Sequence, residues 1–144
     1  MDVITMETIT VDAMVHAPVE KVWQYYTEPA HITQWAFADT SWHAPHAEND
    51  LRVGGKFVTR MEAKDGSAGF DFEGIYDDVV PHEKIAYSFG DRKATVLFSK
   101  EGSDTKVTIN FDPETENPIE MQRAGWQAIL ENFKTYVEKS SALV

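Results

Sequence analysis

The chain has 144 residues, 13 of them Lys or Arg and 24 Asp or Glu, for a net charge of −11. That length suits one domain, which buries about 70% of its unfolded surface without help from metal or disulfide. The anionic balance excludes non-specific binding to nucleic acid or to anionic membranes. Hydrophobic residues at 42% and aromatics at 12% exclude a disordered acidic chain. The lack of cysteine excludes disulfides, thiolate nucleophiles and thiolate metal sites. The first residues, Met-Asp-Val-Ile-Thr-Met-Glu, carry no basic stretch ahead of an apolar one. No apolar run reaches the ~20 residues that a bilayer crossing needs. The expectation is a soluble, cytoplasmic, single domain over residues 1–144, with no nucleic-acid partner and no membrane insertion.

From Ile4 to Val15 the pattern alternates, with Ile9, Val11, Ala13 and Val15 on one face and Thr8, Thr10 and Asp12 on the other. Period two predicts a strand. Ala17-Pro18-Val19-Glu20 then reads as a helix start, with proline at the first helical position and an acid in the first turn. Val19, Val22, Trp23 and Tyr26 follow as one apolar helical stripe. Pro29 opens a second short helix with Ile32 and Trp35 inward. Residues 37–50, including Trp42 and His43-Ala44-Pro45-His46, read as irregular.

The next segments pair by arithmetic. Asp65-Gly66 is a favoured hairpin turn, and pairing across it sets Met61 against Phe70, Thr59 against Phe72 and, on the opposite face, Arg60 against Asp71. Gly90-Asp91 sets Tyr87 against Ala94 and Ile85 against Val96. The Glu101-Gly102-Ser103-Asp104 loop sets Phe98 against Val107. The result is a curved antiparallel meander with one apolar and one wet face.

Asn117-Pro118-Ile119-Glu120 carries an N-cap, a proline at N1 and an acid at N3. The helix it starts should run to about Lys139, ~30 Å at 1.5 Å per residue. Its apolar stripe is Trp126, Ile129, Leu130, Phe133 and Val137; Gln127 faces outward. Nothing else covers the apolar sheet face as fully, so the helix lies in its concave side, Trp126 above the strand of Phe70 and Phe72. The fold class is α+β.

Strand, two short helices, six-strand meander and long helix is the element order of the helix-grip fold. Ala17-Pro18-Val19-Glu20-Lys21-Val22-Trp23, the Trp35 region and the stretch from Ala47 to Phe57 through Gly54-Gly55-Lys56 carry a closer likeness. So do Phe72-Glu73-Gly74-Ile75-Tyr76 with Val80-Pro81, Glu83-Lys84-Ile85-Ala86-Tyr87 and Gly125-Trp126. From about Thr8 to Val137 the chain resembles the single-domain relatives of the activator of heat-shock protein 90 ATPase, within the START-like (SRPBCC) superfamily. The eukaryotic namesake resembles it only through its C-terminal domain. The resemblance implies a curved antiparallel sheet wrapped around the C-terminal helix, and a site between them where relatives hold apolar or amphipathic small molecules. It also implies a chaperone as an alternative partner, in an accessory or stress-response role.

The residues offered as cavity lining are Trp35, Trp42, Phe57, Met61 and Phe70, together with Phe72, Tyr87, Trp126, Ile129 and Phe133. The competing expectation is that these side chains close on one another, as cores do. Among polar groups that can face inward, Thr59, Tyr76, Tyr87 and His43, Tyr87 stands first, because a buried phenol seeks a hydrogen-bond partner. His43 and His46, with Glu48 and Asp50 behind them, imitate metal-ligand spacing. Pro45 breaks any helix that would align the imidazoles, and the spacing supplies no third zinc ligand. Asp71, Glu73 and Asp77 belong to the wet face beside Arg60, where ion pairing accounts for them. Gly54-Gly55-Lys56 lacks the phosphate-loop spacing and marks a tight bend; Gly74 leaves room for the helix or a ligand. There is no Gly-x-Ser-x-Gly elbow and no nucleophile with a base partner. The expectation is a non-enzymatic binding module for a small hydrophobic molecule, with no catalytic residue, metal or cofactor.

Overall fold

A computed structural model of the chain describes residues 8–141. The alternating segment forms β1 (Ile9–Val15), whose residues are buried and exposed in strict turn. The expected strand residues 4–7 lie outside the described residues. Pro18 begins the next turn, accepting a hydrogen bond from Val22 N at 3.0 Å. It is followed by α1 (Val19–Thr27), which buries Val19, Val22 and Trp23. Proline at N1 starts α2 (Pro29–Trp35), with Ile32 and Trp35 buried.

Six strands follow: β2 (Trp42–Asn49), β3 (Lys56–Ala63), β4 (Gly69–Val80), β5 (Lys84–Phe89), β6 (Arg92–Glu101) and β7 (Asp104–Phe111). With β1 they form one curled antiparallel sheet in the order β1-β7-β6-β5-β4-β3-β2. The register is the one that apolar pairing demands. Met61 opposes Phe70, Thr59 opposes Phe72 and Arg60 opposes Asp71, while Tyr87 opposes Ala94 and Ile85 opposes Val96. Phe98 opposes Val107 in the same way. A slip of one residue would turn the apolar set to water.

Residues 42–49 are a strand, not the irregular segment that their composition suggests. Between His43 and His46 the ladder shifts, so Ala44 and Pro45 together oppose Met61. A bulge on an edge strand is where a sheet tolerates a residue without an N–H, and it also breaks the alternation that would have revealed the strand. A second shift, between Tyr76 and Asp78, leaves Asp77 out of the β4–β5 ladder. Its carboxylate accepts a hydrogen bond from Ser88 Oγ at 2.6 Å on the wet face.

The long helix α3 (Ile119–Ser141) has 23 residues, about 35 Å of length. Its start is held by Gln122, whose amide donates to the carbonyls of Glu114 and Asn117 and accepts from Glu114 N. Leu130, Phe133 and Val137 are fully buried. Gln127 is not outward as the stripe predicts: its amide donates to the Asp12 carbonyl at 2.9 Å. Arg123 does the same for Thr10 at 3.3 Å, and Lys134 for Met14 at 2.7 Å. Three side chains on one helix face thus satisfy alternate carbonyls along the free edge of β1. No helix among the described residues is long and apolar enough to cross a membrane.

Candidate functional site

The space between α3 and the sheet is filled at one end and open at the other. At the filled end Phe133, Leu130, Val137, Val22 and Val96 show no more than 1% exposure. The Phe133 ring meets Tyr26 and Trp35 edge-on, with centroids 5.1 and 4.9 Å away. Toward the start of α3, Trp126 and Ile129 are only half-buried, and a cavity of about 300 Å³ remains beneath them.

Local backbone geometry sets the cavity wall. Gly54 adopts φ +83°, and a Cβ at Gly55 would lie 2.0 Å from the Asp50 carbonyl oxygen, so only glycine makes this bend. Gly54 N donates to Tyr76 O at 2.8 Å and Tyr76 N donates to Gly55 O at 2.9 Å, tying the bend to β4. The bend delivers Phe57 into the wall, against Tyr76 at 5.2 Å and Tyr87 at 4.9 Å between ring centroids. The room at Gly74 serves that same ring, since a Cβ there would come within 2.8 Å of Phe57. It is not left for the helix or a ligand.

Trp35, Phe57, Met61 and Phe72 line the cavity, as do Tyr87, Trp126 and Ile129. Phe70 lines it too, at the rim, 49% exposed. Trp126 stacks on Phe111 of β7 at 3.9 Å and 9°, and meets Phe72 only edge-on at 6.1 Å. Its main support is therefore β7, not the strand of Phe70 and Phe72. Two expected lining residues lie elsewhere. Phe133 is sealed beneath the wall by Tyr26 and Trp35. Trp42 opposes Ala63 at the far end of the β2–β3 ladder, its ring 6.1 Å from that of Phe70 and beyond the cavity. The helical stripe gave the face of Phe133 but not its depth, and the β2 bulge displaced Trp42.

The polar lining is sparse. Thr59, Tyr76 and Tyr87 face the cavity, and so do Tyr26, Asn49, Glu48 and Arg92, none of which the sequence offered as cavity lining. His43 goes elsewhere, its Nε2 3.7 Å from Glu62 on the half-exposed outer side. Tyr76 donates to Asn49 Oδ1 at 2.5 Å, and Asn49 donates to the Thr27 carbonyl at 2.6 Å. The Arg92 guanidinium lies 4.6 Å over the Phe89 ring, and its Nε donates to the Asp112 carbonyl at 3.0 Å. Burial pushes the hydroxyls of Tyr26, Tyr76 and Tyr87 above the ordinary phenol range. For Tyr26 and Tyr87 the neighbouring phenols push further in the same direction. All three therefore stay protonated at physiological pH. His46 faces Glu48 at 3.4 Å, and among the described residues no group of three or more His, Asp or Glu side chains is placed to hold a metal ion.

This architecture matches a known family. The model of the Activator of Hsp90 ATPase homolog 1-like protein family fits residues 16–138. The chain belongs to that family. An AHSA1-like protein from Aeromonas hydrophila superimposes with a TM-score of 0.88 at 39% identity, over 93% of this chain and 94% of its own. A protein from Cytophaga hutchinsonii is 50% identical, with a TM-score of 0.80 over 94% of both chains. One from Chromobacterium violaceum reaches 0.81 at 27% identity, over 91% of this chain and 97% of that one. Comparison with curated protein sequences gives no match. The shared AHSA1-like architecture is the curled seven-stranded sheet, two short helices after the first strand and the long C-terminal helix.

Proposed function

We propose that the chain is a non-enzymatic binding module for a small hydrophobic or amphipathic molecule, held between α3 and the sheet. The observation that carries this reading is the cavity of about 300 Å³ between α3 and the sheet. Protein cores leave few voids larger than a water molecule, and ligand sites begin at about that size, apolar with a few placed polar groups. The cavity has this composition, and none of its polar groups forms a nucleophile–base pair.

Thermal melts against a panel of lipids, sterols and aromatic metabolites test the reading. A one-to-one ligand at 100 times its dissociation constant should stabilise the fold by about 2.7 kcal/mol. No shift across a broad panel, together with side chains filling the cavity in solution, would overturn it. The family name offers the alternative of an accessory partner to the heat-shock protein 90 chaperone. That role predicts a changed chaperone ATPase rate when this protein is added to saturation; the binding reading predicts an unchanged one.

A further inference from the structure

The phenols that line the cavity go further than its apolar character. Tyr87 is 7% exposed and lines the cavity, as does Tyr26. Neither hydroxyl has a hydrogen-bond partner among the described residues, yet no buried polar side-chain atom there is sealed off without one. The two oxygens therefore open onto the cavity. Tyr76, whose proton is committed to Asn49, is paired with Tyr87 across the β4–β5 ladder. Two free donors thus line one cavity together with a third oxygen that can only accept. Arg92 is the one cation in the wall among the described residues, and it also lines an outer groove with Asp91, Asp112 and Glu114. Glu48 adds a negative charge at the exposed rim, 3.4 Å from His46.

We propose that the cavity selects neutral molecules bearing one hydrogen-bond acceptor, a carbonyl oxygen above all, which the hydroxyls of Tyr87 and Tyr26 engage. This rests on the binding reading above and names the ligand class for it. A buried donor left unpaired costs more than a made hydrogen bond gains, so a purely hydrocarbon ligand fills the space while wasting both hydroxyls. A carboxylate satisfies them but loses its hydration, and the guanidinium of Arg92 is already held by the Asp112 carbonyl and the Phe89 ring. Size is set by the volume: a cavity of about 150 Å³ accepts benzene, so this one suits a body of about two rings.

Isothermal titration of the full chain with three matched two-ring probes tests this: acetylnaphthalene (ketone), ethylnaphthalene (hydrocarbon) and naphthoate (anion). The ketone should bind about tenfold more tightly than either of the others, the scale of one well-made hydrogen bond in a dry site. Tyr87→Phe and Tyr26→Phe should each erase most of the ketone's advantage while leaving ethylnaphthalene unchanged. The wild-type series decides the matter even if one variant folds poorly. Equal binding of ketone and hydrocarbon, or tightest binding of naphthoate, would overturn the selectivity and leave the binding reading standing. No heat with any probe would also overturn the selectivity, and the broad-panel melts then decide the binding reading by themselves.

Discussion

The two ends of the space beneath α3 are built from the same kinds of side chain, yet one closes and the other does not. At Phe133 three helices meet the sheet, and Tyr26 from α1 and Trp35 from α2 fill whatever α3 leaves open. The ring partners of Trp126 all come from strands. The indole lies flat on Phe111 and touches Phe89 and Phe72 at about 6 Å. A long straight rod over a curled sheet cannot follow its curvature along its whole length. The two short helices after β1 supply filler at one end and form a wall facing the cavity at the other. The void is therefore a product of topology rather than of a missing large residue.

Stability measurements can break this comparison. Phe133→Ala should cost about 3–5 kcal/mol in a urea melt, because the surroundings are packed from three sides and cannot collapse into the hole. Trp126→Ala should cost only about 2 kcal/mol, since the ring already borders open space on one side and loses fewer contacts. Equal costs would mean that the two ends do not differ.

Alkali sharpens the contrast further. The folded-state phenol pKa values of Tyr26, Tyr76 and Tyr87 are raised above the ordinary value of 10.0. Above pH 10 the unfolded chain releases protons that the folded chain keeps. Each such tyrosine then removes up to about 1.4 kcal/mol of stability per pH unit, and none below it. Denaturant melts between pH 9 and about 11 should show this decline, and Tyr87→Phe should lessen its slope. A slope unchanged by that substitution would place the Tyr87 hydroxyl in water. The smallest expected effect is that of Met61→Phe, which adds volume at the open end: a gain of about 0.5 kcal/mol, with weaker binding of any two-ring probe. A loss as large as that of Trp126→Ala would show the cavity to be already full.

Much of this was legible in the residues, for reasons that also explain what was not. The Asp65-Gly66 turn pins β3 to β4, and alternation then dictates which side is apolar, so the pairs from Met61–Phe70 to Arg60–Asp71 follow. The α3 stripe likewise announces its inward face. Periodicity reports direction and not depth, however, so Phe133 and Trp126 look equivalent in the sequence although one is sealed and the other borders a void. Tyr26 carried the same ambiguity. Asn49 could not be foreseen as the partner of Tyr76, because β2 was hidden by its bulge and the contact spans strands that are not neighbours. Gln127 looked solvent-facing because its partner is a backbone carbonyl, which leaves no trace in side-chain chemistry.

The side chains of α3 that reach Thr10, Asp12 and Met14 have a consequence for how copies of this chain meet one another. An uncovered strand edge is a template on which a second molecule can extend the sheet and seed aggregation. On β1 those three carbonyls are already occupied by Arg123, Gln127 and Lys134. At the other edge, β2 carries a bulge, a proline and flanking charged or titratable groups, which together spoil the straight ladder that a visiting strand would need. The half-barrel is thus an open sheet with no usable edge, guarded by a helix on one side and by its own irregularity on the other.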